Sequence, residues 1–392
     1  MTPRRIRLGM VGGGGGAFIG AVHRMALRLD DAFTLDAACL ASDPERARAD
    51  AAALGIAPER AYGSWAEMAE GEAARRARSE DAIDAVIVAT PNHLHVPVAQ
   101  GFIALGFDVL CEKPLATLLA DARALHALAR ACGRLLGVAH TYAGYPMVRA
   151  ARELVAAGEL GALRFVHVEY AQDWLAGPLE ATGHKQAAWR LDPLRAGPAG
   201  ALGDIGTHAA HLTGYVTGLS ITAVSARLHR FVPGRALDDH VQAQLQLQDG
   251  ALGLLWASQV AAGEANALRL RVYGERASLS FDQEEPDSLW LRPVGGPARR
   301  LRRGDAATAA ASPAAAAATR LPPGHPEGYV EAMAQLYRDF AALWHAREQG
   351  TAPPAWAAAT PGGAAGVQGL AFIEAVLRSD AQAQAWVPLD TV

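Results

Sequence analysis

Two lysines stand out in the amino-acid sequence, because the chain otherwise uses arginine as its basic residue. Lysine and arginine together number 36, and only Lys113 and Lys185 are lysine. Arginine is a planar fork that stays charged, whereas lysine is a compact point charge on a flexible stem. Lys113 stands in the segment CEKP, where Pro114 restricts the backbone that follows it. We therefore expect Lys113 to perform chemistry that an arginine could not.

A second chemical group lies in the segment GDIGTHAAH. Asp204, His208 and His211 are spaced i, i+4 and i+7, which places them on one face of a helix. A metal site needs more preorganised ligands than this stripe supplies, so we predict no metal; histidines that pack in the core or cap a helix are the other alternative. A neutral imidazole with an ordinary pKa of ~6.5 suits a general base near neutral pH, and an ammonium such as that of Lys113 stabilises negative charge that develops on an oxygen.

Five consecutive glycines at 12–16 separate a predicted strand at 5–11 from a predicted helix at 17–29. Gly12, Gly14 and Ala17 match the GxGxxG/A pattern, in which glycine allows the backbone to approach a pyrophosphate at the start of a helix. Gly20 could instead be the third glycine of a longer loop, so the register stays open, and a flexible turn is the alternative to dinucleotide binding.

The tip of the second predicted strand bears on the choice between NAD and NADP. Ser42 and Asp43 could both address a free ribose, although Pro44 makes Asp43 equally credible as a helix N-cap. Arg46 could receive a 2'-phosphate or face solvent. We predict a weak preference for NAD over NADP.

Two further loops follow predicted strands, at the carboxyl ends where open α/β sheets bind ligands. The first is TPNHLH at 90–95 and the second is CEKP at 111–114. The residues that we expect to contact the cofactor from these loops are Thr90, Pro91, Asn92, His95, Glu112 and Lys113.

The elements that position these residues fall into two classes. Strands and helices alternate to about residue 142, which predicts a doubly wound parallel Rossmann sheet in a domain at 1–142. From 143 to 392 strands dominate, which predicts an α+β domain for substrate binding and oligomerisation, with a large, mainly antiparallel open sheet. We predict a surface excursion without regular structure at 304–324, and closing helices at 328–347 and 364–379 that pack back toward the first domain.

The order and spacing of these motifs resemble the Gfo/Idh/MocA family, named after glucose-fructose oxidoreductase, inositol dehydrogenase and MocA. The resemblance covers the glycine loop, TPNHLH, EKP, the segment 188–212 and GLAFIEAVLRS at 369–379. It implies a nicotinamide cofactor, a sugar or polyol substrate, Lys113 beside both, and His208 as acid/base supported by Asp204. The family often has an acid where this chain has His211. The glycine run and FIGAVHR resemble a sugar dehydrogenase branch that includes enzymes acting on anhydrosugars.

Polar and aromatic residues collect at QDW (172–174) and HKQAAWR (184–190), in a segment that we predict to be a loop. They suit a hydroxyl-rich ring, whose apolar face stacks on an aromatic side chain. Trp189 could equally be a core residue, Arg190 a surface or interface cation, and Tyr142 an ordinary packing residue. The predicted substrate-binding set is Lys113, Tyr142, Asp173, Lys185, Trp189, Arg190 and His208.

Composition excludes several classes of protein. The formal charge of -4 gives no field that would collect nucleic acid, and no apolar run is long enough to predict a membrane span. Three cysteines without CxxC spacing fit a reducing compartment, so we expect a cytoplasmic protein. A broad sheet face in the second domain predicts a homodimer or homotetramer.

These observations favour an NAD(P)-dependent dehydrogenase that oxidises a secondary hydroxyl of a cyclic sugar, anhydrosugar or polyol. Two alternatives stay open: a glycosidase or lyase that oxidises its sugar transiently with a tightly held NAD, and a nucleotide-binding sensor without turnover. The combination of Lys113, Asp204 and His208 argues against the sensor.

Overall fold

The computed structural model describes residues 4–390. Its strands, in chain order, are β1 (Ile6–Gly12), β2 (Phe33–Cys39), β3 (Ala85–Ala89), β4 (Asp108–Cys111), β5 (Leu136–Val138), β6 (Leu163–Ala171), β7 (Ile221–His229), β8 (His240–Leu247), β9 (Leu252–Ser258), β10 (Ala267–Gly274), β11 (Ala277–Asp282), β12 (Ser288–Pro293), β13 (Arg299–Arg302) and β14 (Val387–Pro388). Its α-helices are α1 (Phe18–Leu29), α2 (Pro44–Ala53), α3 (Trp65–Ala77), α4 (His95–Ala104), α5 (Leu119–Ala131), α6 (Pro146–Ala156), α7 (Lys185–Arg190), α8 (Pro193–Ala196), α9 (Thr207–Thr217), α10 (Ala306–Ala311), α11 (Pro313–Ala318), α12 (Tyr329–Gln349) and α13 (Gly363–Ala381).

The chain divides into two compact units, which we describe separately. The first consists of residues up to Ala139 together with Met333–Val367, and the second consists of His140–Ala332 and the residues from Gln368 onward. Most of α12 therefore belongs to the first unit, although about 190 residues separate it from the rest of that unit along the chain. One physical reason is the bidentate ion pair between Arg347 of α12 and the buried carboxylate of Asp108 at the start of β4, with an Nη2 to Oδ2 distance of 2.6 Å.

The first unit contains a parallel sheet in the order β2-β1-β3-β4-β5. The central strand β3 is buried at all five positions, as expected for a parallel strand covered on both faces. The strand order reverses between β1 and β3, which places Gly12 opposite Ala89. This is the point at which a doubly wound sheet opens a crevice for ligands. The predicted Rossmann fold is confirmed.

The second unit contains a nine-stranded sheet in the order β13-β12-β11-β10-β6-β9-β8-β7-β14. Every pair is antiparallel except β6 with β9, which run parallel. Along β8, exposed glutamines alternate with buried apolar residues, so that one sheet face is packed and the other is open. The predicted large and mainly antiparallel sheet is confirmed.

Two local expectations were wrong. The segment 304–324 contains the helices α10 and α11, because its alanine runs have the highest helix propensity and Ala315 and Ala318 are buried. The segment around Lys185, read from sequence as a loop, forms α7, whose N-cap His184 accepts a hydrogen bond from the backbone N–H of Ala187. Across residues 4–390, none of the helices combines the length and the apolar character that crossing a membrane requires.

Candidate active site

The glycine loop of the first unit is a close-packed turn between β1 and α1. A Cβ at Gly12, where φ is +79°, would lie 2.6 Å from the carbonyl oxygen of Ala89. A Cβ at Gly20 would lie 2.0 Å from the carbonyl oxygen of Gly13, so Gly20 is the residue that lets α1 approach the loop. Ala17 is the N-cap of α1, and its N–H donates to the carbonyl of Gly14. The close-packing position is therefore taken by Gly20.

Helix α2 contacts the same loop with two charged side chains. The guanidinium of Arg46 donates to the carbonyl of Gly15 at 3.2 Å, and the carboxylate of Asp50 accepts from the Gly15 N–H at 3.0 Å. Asp43 is the N-cap of α2, because its carboxylate accepts from the N–H of Arg46 at 2.8 Å. Ser42 precedes it and is exposed. The tip of β2 and the glycine loop are thus brought together. The carboxylate of Asp43 is engaged as the N-cap of α2.

The loop after β3 carries Thr90, Pro91 and Asn92, and His95 begins α4 just beyond it. His95 is buried, with Nε2 2.9 Å from the carbonyl of Thr90 and Nδ1 2.7 Å from the carbonyl of Pro114. His95 therefore links the loop after β3 to the loop after β4. Burial lowers the pKa of His95, against the raising effect of the two carbonyls.

The loop after β4 carries Glu112 and Lys113. Glu112 is 7% exposed, and its two carboxylate oxygens accept from the ring of His23 at 3.0 Å and from the backbone N–H of Lys113 at 3.1 Å. Burial is the largest single effect and opposes ionisation of this carboxyl, but the hydrogen bonds and charge interactions with His23 and Lys113 together outweigh it and lower the pKa of Glu112. A carboxylate therefore holds the main chain at Lys113.

These features of the first unit fit a dinucleotide. Side chains at Gly12 or Gly14 would collide with backbone oxygens, so a close backbone approach is built into the turn. The Oγ1 of Thr90 is buried and has no hydrogen-bond partner among residues 4–390, which leaves a polar atom that a ligand can satisfy. The residues predicted to contact the cofactor lie at the carboxyl ends of the neighbouring strands β1, β3 and β4. Gly12 ends β1, and Gly14, Thr90, Asn92 and the Glu112 loop follow these strands.

In the second unit, Asp204 and His208 lie on one continuous helical stretch. Leu202–Gly206 forms a π-helical turn that carries Asp204, and α9 follows with His208 and His211. Wide turns of this kind are frequent at functional sites. Asp238 caps the entry to the stretch, because its carboxylate accepts from the N–H groups of Gly200 and Leu202, both at 2.7 Å. Burial raises the pKa of Asp238 to about 6.

His208 is 6% exposed and lies among aromatic rings. The ring of Tyr142 meets it edge to face at a centroid distance of 4.8 Å, and His140 lies 5.7 Å away and stacks face to face on His211 at 3.9 Å. Burial raises the pKa of Tyr142 well above its ordinary value, while burial, assisted by Arg152, lowers the pKa of His211 to about 3. Tyr142 and His211 are therefore neutral at physiological pH.

Tyr142 begins a chain of hydrogen bonds that sequence analysis missed. Its hydroxyl contacts that of Tyr170, which donates to the Oδ1 of Asn266 at 2.8 Å. Gln172 donates to the same Oδ1 at 2.7 Å. Tyr142 is 3% exposed, and its ring packs against that of His208.

Asp204 is held by two donors from different elements. Gln259, which follows β9, donates at 2.8 Å, and Arg190 of α7 donates at 3.3 Å. Arg190 also lies over the ring of Trp189, with its central carbon 4.3 Å from the ring centroid. Asp204, Arg190 and Trp189 are thus brought together, and Trp189 is partly exposed instead of lying in the core.

The other two predicted substrate residues of the second unit are Asp173 and Lys185. Asp173 is exposed and accepts from the N–H of Gly263 at 3.1 Å, and Lys185 is exposed at the start of α7. Within residues 4–390, no cluster of three or more histidine, cysteine, aspartate or glutamate side chains is arranged to hold a metal ion.

Sequence reasoning missed several residues that shape the site. In the first unit these are His23 and Asp50, and in the second unit Asp238, Gln259 and Tyr170. His23 stands in the segment FIGAVHR, which the sequence analysis had already singled out. Gln259 carried no local signal, because only strand pairing brings the end of β9 to Asp204.

Comparison with known proteins assigns the chain to a family. Residues 6–140 match the model of the oxidoreductase family with an NAD-binding Rossmann fold, GFO_IDH_MocA, and residues 148–280 match the GFO/IDH/MocA C-terminal domain. An uncharacterized oxidoreductase of Bacillus subtilis (strain 168), YfiI, is 32% identical over 388 residues, which is 97% of this chain and 96% of that protein.

Solved structures agree. An inositol dehydrogenase homolog from Azotobacter vinelandii, complexed with NADH and myo-inositol, is 36% identical with a TM-score of 0.89, covering 98% of each chain. Levoglucosan dehydrogenase, in complex with NADH and levoglucosan, is 26% identical with a TM-score of 0.83, covering 99% of this chain and all of that chain. With both domain models matched in order and relatives aligned over nearly the full length, this chain belongs to the Gfo/Idh/MocA family of NAD-binding oxidoreductases.

Proposed function

We propose that the protein is an NAD(P)-dependent dehydrogenase that oxidises a secondary hydroxyl of a cyclic sugar, anhydrosugar or polyol. The observation that carries the proposal is the setting of His208, a buried imidazole among aromatic rings on the helical stretch that also presents Asp204. The printed ligands of two related structures, myo-inositol and levoglucosan, support the substrate class.

In this proposal His208 is the general base that takes the hydroxyl proton. Lys113 stabilises the negative charge that develops on the same oxygen as the carbonyl forms. The first unit would hold the nicotinamide cofactor, which would supply the hydride acceptor for the two electrons of the oxidation. Gln259 and Arg190 hold the carboxylate of Asp204 on the same helical stretch as His208. This carboxylate stabilises the positive charge of the imidazole when the ring becomes protonated.

For the substrate, we assign Trp189 to the apolar face of the ring and Arg190, Lys185 and Asp173 to its hydroxyl groups. The exposed or partly exposed state of all four side chains supports this assignment. Tyr142 contributes as the ring against which His208 packs.

For the cofactor, we propose a modest preference for NAD. Arg46 donates to the carbonyl of Gly15 and lies 3.8 Å from the carboxylate of Asp50, so neutralising partners already engage its charge. We expect kcat/KM to be higher with NAD than with NADP. A clear NADP preference that disappears in Arg46→Ala would show that this guanidinium instead binds a 2'-phosphate.

The test of the function is a panel of cyclic polyols, hexoses and anhydrosugars, including myo-inositol and levoglucosan, offered with each cofactor. We expect the absorbance of reduced nicotinamide to rise with one group of these compounds. Cleavage of a glycoside without net reduction of added cofactor would support the transient-oxidation alternative. Binding of cofactor without turnover of any compound would support a sensor.

A further inference from the structure

A buried chain of three side chains runs behind Lys113 in the first unit. The hydroxyl of Tyr337, on α12, lies 2.7 Å from Nδ1 of His23, on α1. The Nε2 of the same imidazole lies 3.0 Å from Oε1 of Glu112. The other oxygen of Glu112 accepts from the backbone N–H of Lys113 at 3.1 Å. Three segments that are distant in sequence thus meet at the backbone of one lysine.

The chemistry of the chain sets the direction of its hydrogen bonds. Burial raises the pKa of Tyr337 well above its ordinary value, so its hydroxyl keeps its proton, and the pKa of Glu112 is lowered, so that group is a carboxylate. Because a carboxylate only accepts, Nε2 of His23 donates to it, and in the neutral tautomer Nδ1 accepts from Tyr337. His23 is completely buried and its ring also packs edge to face against that of Tyr337. Every polar atom of the chain is matched.

The same helix holds the glycine loop. Gly20 of α1 packs directly against Gly13, and Arg24 donates to the carbonyl of Gly13 at 2.6 Å. His23 lies between these two contacts along α1. The same helix therefore contacts the glycine loop directly and the backbone of Lys113 through Glu112.

We propose that the Tyr337–His23–Glu112 chain positions the backbone of Lys113 relative to the glycine loop. The position of the backbone in turn determines where the ammonium of Lys113 lies. None of the three side chains is assigned a contact with substrate. The inference rests on the proposed function for the importance of Lys113 in turnover, but the geometry of Lys113 can be measured without any reaction. A misplacement of ~1 Å can lower a rate by ~10²-fold, so small movements of this ammonium matter.

The scarcity of lysine provides a direct test. Reductive methylation with ¹³C-formaldehyde labels Lys113, Lys185 and the α-amino group, and the last titrates at a lower pH than a lysine. A Lys185→Arg background leaves one lysine signal, whose chemical shift and pKa report on Lys113 in the full chain. The variants are Tyr337→Phe, which removes only the hydroxyl, His23→Leu, and His23→Gln, whose amide retains a donor toward Glu112.

Tyr62→Phe is the matched control. Tyr62 is also buried in the first unit and donates to a buried carboxylate, that of Glu72, at 3.0 Å, and the other hydrogen bonds that Glu72 accepts come from Arg60 and the backbone N–H of Ile83. We expect Tyr337→Phe and His23→Leu to move the Lys113 signal and to lower kcat at least ~10-fold, with cofactor Kd within ~3-fold of wild type. His23→Gln should recover part of both effects, and Tyr62→Phe should show neither.

The proposal is overturned if Tyr337→Phe and His23→Leu leave the Lys113 signal unchanged, or if Tyr62→Phe moves it equally. Should His23→Leu not fold, Tyr337→Phe alone decides, because it preserves the aromatic ring. A displaced signal in a protein that oxidises no compound of the panel would retain the positioning role and reject the function. Turnover of a panel compound together with an undisplaced Lys113 signal would retain the function and reject the positioning role.

Discussion

Lys113 and His208 carry the charge and the proton of the proposed reaction, so each should matter for the chemical step more than for cofactor binding. General acid/base catalysis contributes ~10²–10⁴-fold, and we expect Lys113→Met and His208→Asn each to lower kcat by that order. Steady-state kinetics with the best substrate of the panel, together with calorimetric titration of the cofactor, measures both quantities.

The pair can be tested as a unit. If both side chains act on one oxygen, the double variant should lose much less than the product of the two single losses, because residues that act together are strongly non-additive. A single loss below tenfold would be too small for either role. Independent, multiplying losses would mean that the two residues serve different steps.

Gly14 offers a separate prediction about the cofactor. A Cβ there would lie 2.6 Å from the carbonyl oxygen of Leu40, which cannot yield easily because it is backbone. A Cβ at neighbouring Gly15 would meet only the carboxylate of Asp50, at 3.3 Å. We expect Gly14→Ala to raise the Kd of the cofactor by isothermal titration calorimetry, and Gly15→Ala to raise it less. If both variants bind the cofactor with the affinity of the wild type, the prediction that the cofactor binds at this loop is wrong.

The helical stretch that carries Asp204 and His208 depends on a carboxylate outside it. Asp238 satisfies two N–H groups at the entry to the π-helical turn, and leaving such buried donors unsatisfied costs about 1–3 kcal/mol. We expect Asp238→Asn to lower the free energy of unfolding by that order and to reduce kcat, since Asp204 follows directly. Chemical denaturation and steady-state kinetics of the variant check the two effects.

The same residue predicts a pH dependence of stability. Burial raises the pKa of Asp238 to about 6, above the ordinary 3.8, so the folded state binds this proton more tightly than the unfolded state. Its contribution to stability is therefore gained as pH falls through about 6 and is complete below about 4. In Asp238→Asn this component should be absent. Denaturation curves of both proteins between pH 4 and 8 measure the difference, and parallel pH profiles would contradict the assignment.

In the whole molecule, the open face of the nine-stranded sheet is the feature that predicts assembly. Leu252, Leu254 and Trp256 of β9 alternate toward that face, and pairing places Phe165 and Tyr273 beside them. Leu254 is 44% exposed. Exposed apolar surface of this kind marks interaction sites, and we expect a homodimer or homotetramer.

Light scattering at micromolar concentration tests the assembly. Leu254→Glu should shift the mass toward the monomer, while Leu321→Glu, which changes a similarly exposed leucine outside the sheet, should not. A wild-type mass equal to the 41.0 kDa of one chain would refute the prediction.

The sequence by itself determined the fold class and singled out the candidate chemical residues, because both are visible as local patterns. Alternating strands and helices require a parallel sheet, and the glycine run must follow β1 at the carboxyl edge of that sheet. The rarity of lysine and the spacing of Asp204 and His208 are also visible without coordinates. Periodicity could not place α10 and α11, since alanine fits a helix and an irregular surface segment equally well.

Only the tertiary structure decided which residues hold the chemical ones in place. Tyr337 stands 314 residues after His23, and Gln259 stands 55 residues after Asp204, yet each pair shares a hydrogen bond. Such partners leave no local pattern, because a hydrogen bond depends on distance in space and not on separation along the chain. Gly20 became the close-packing glycine for the same reason: its lack of a Cβ matters only once α1 lies against Gly13.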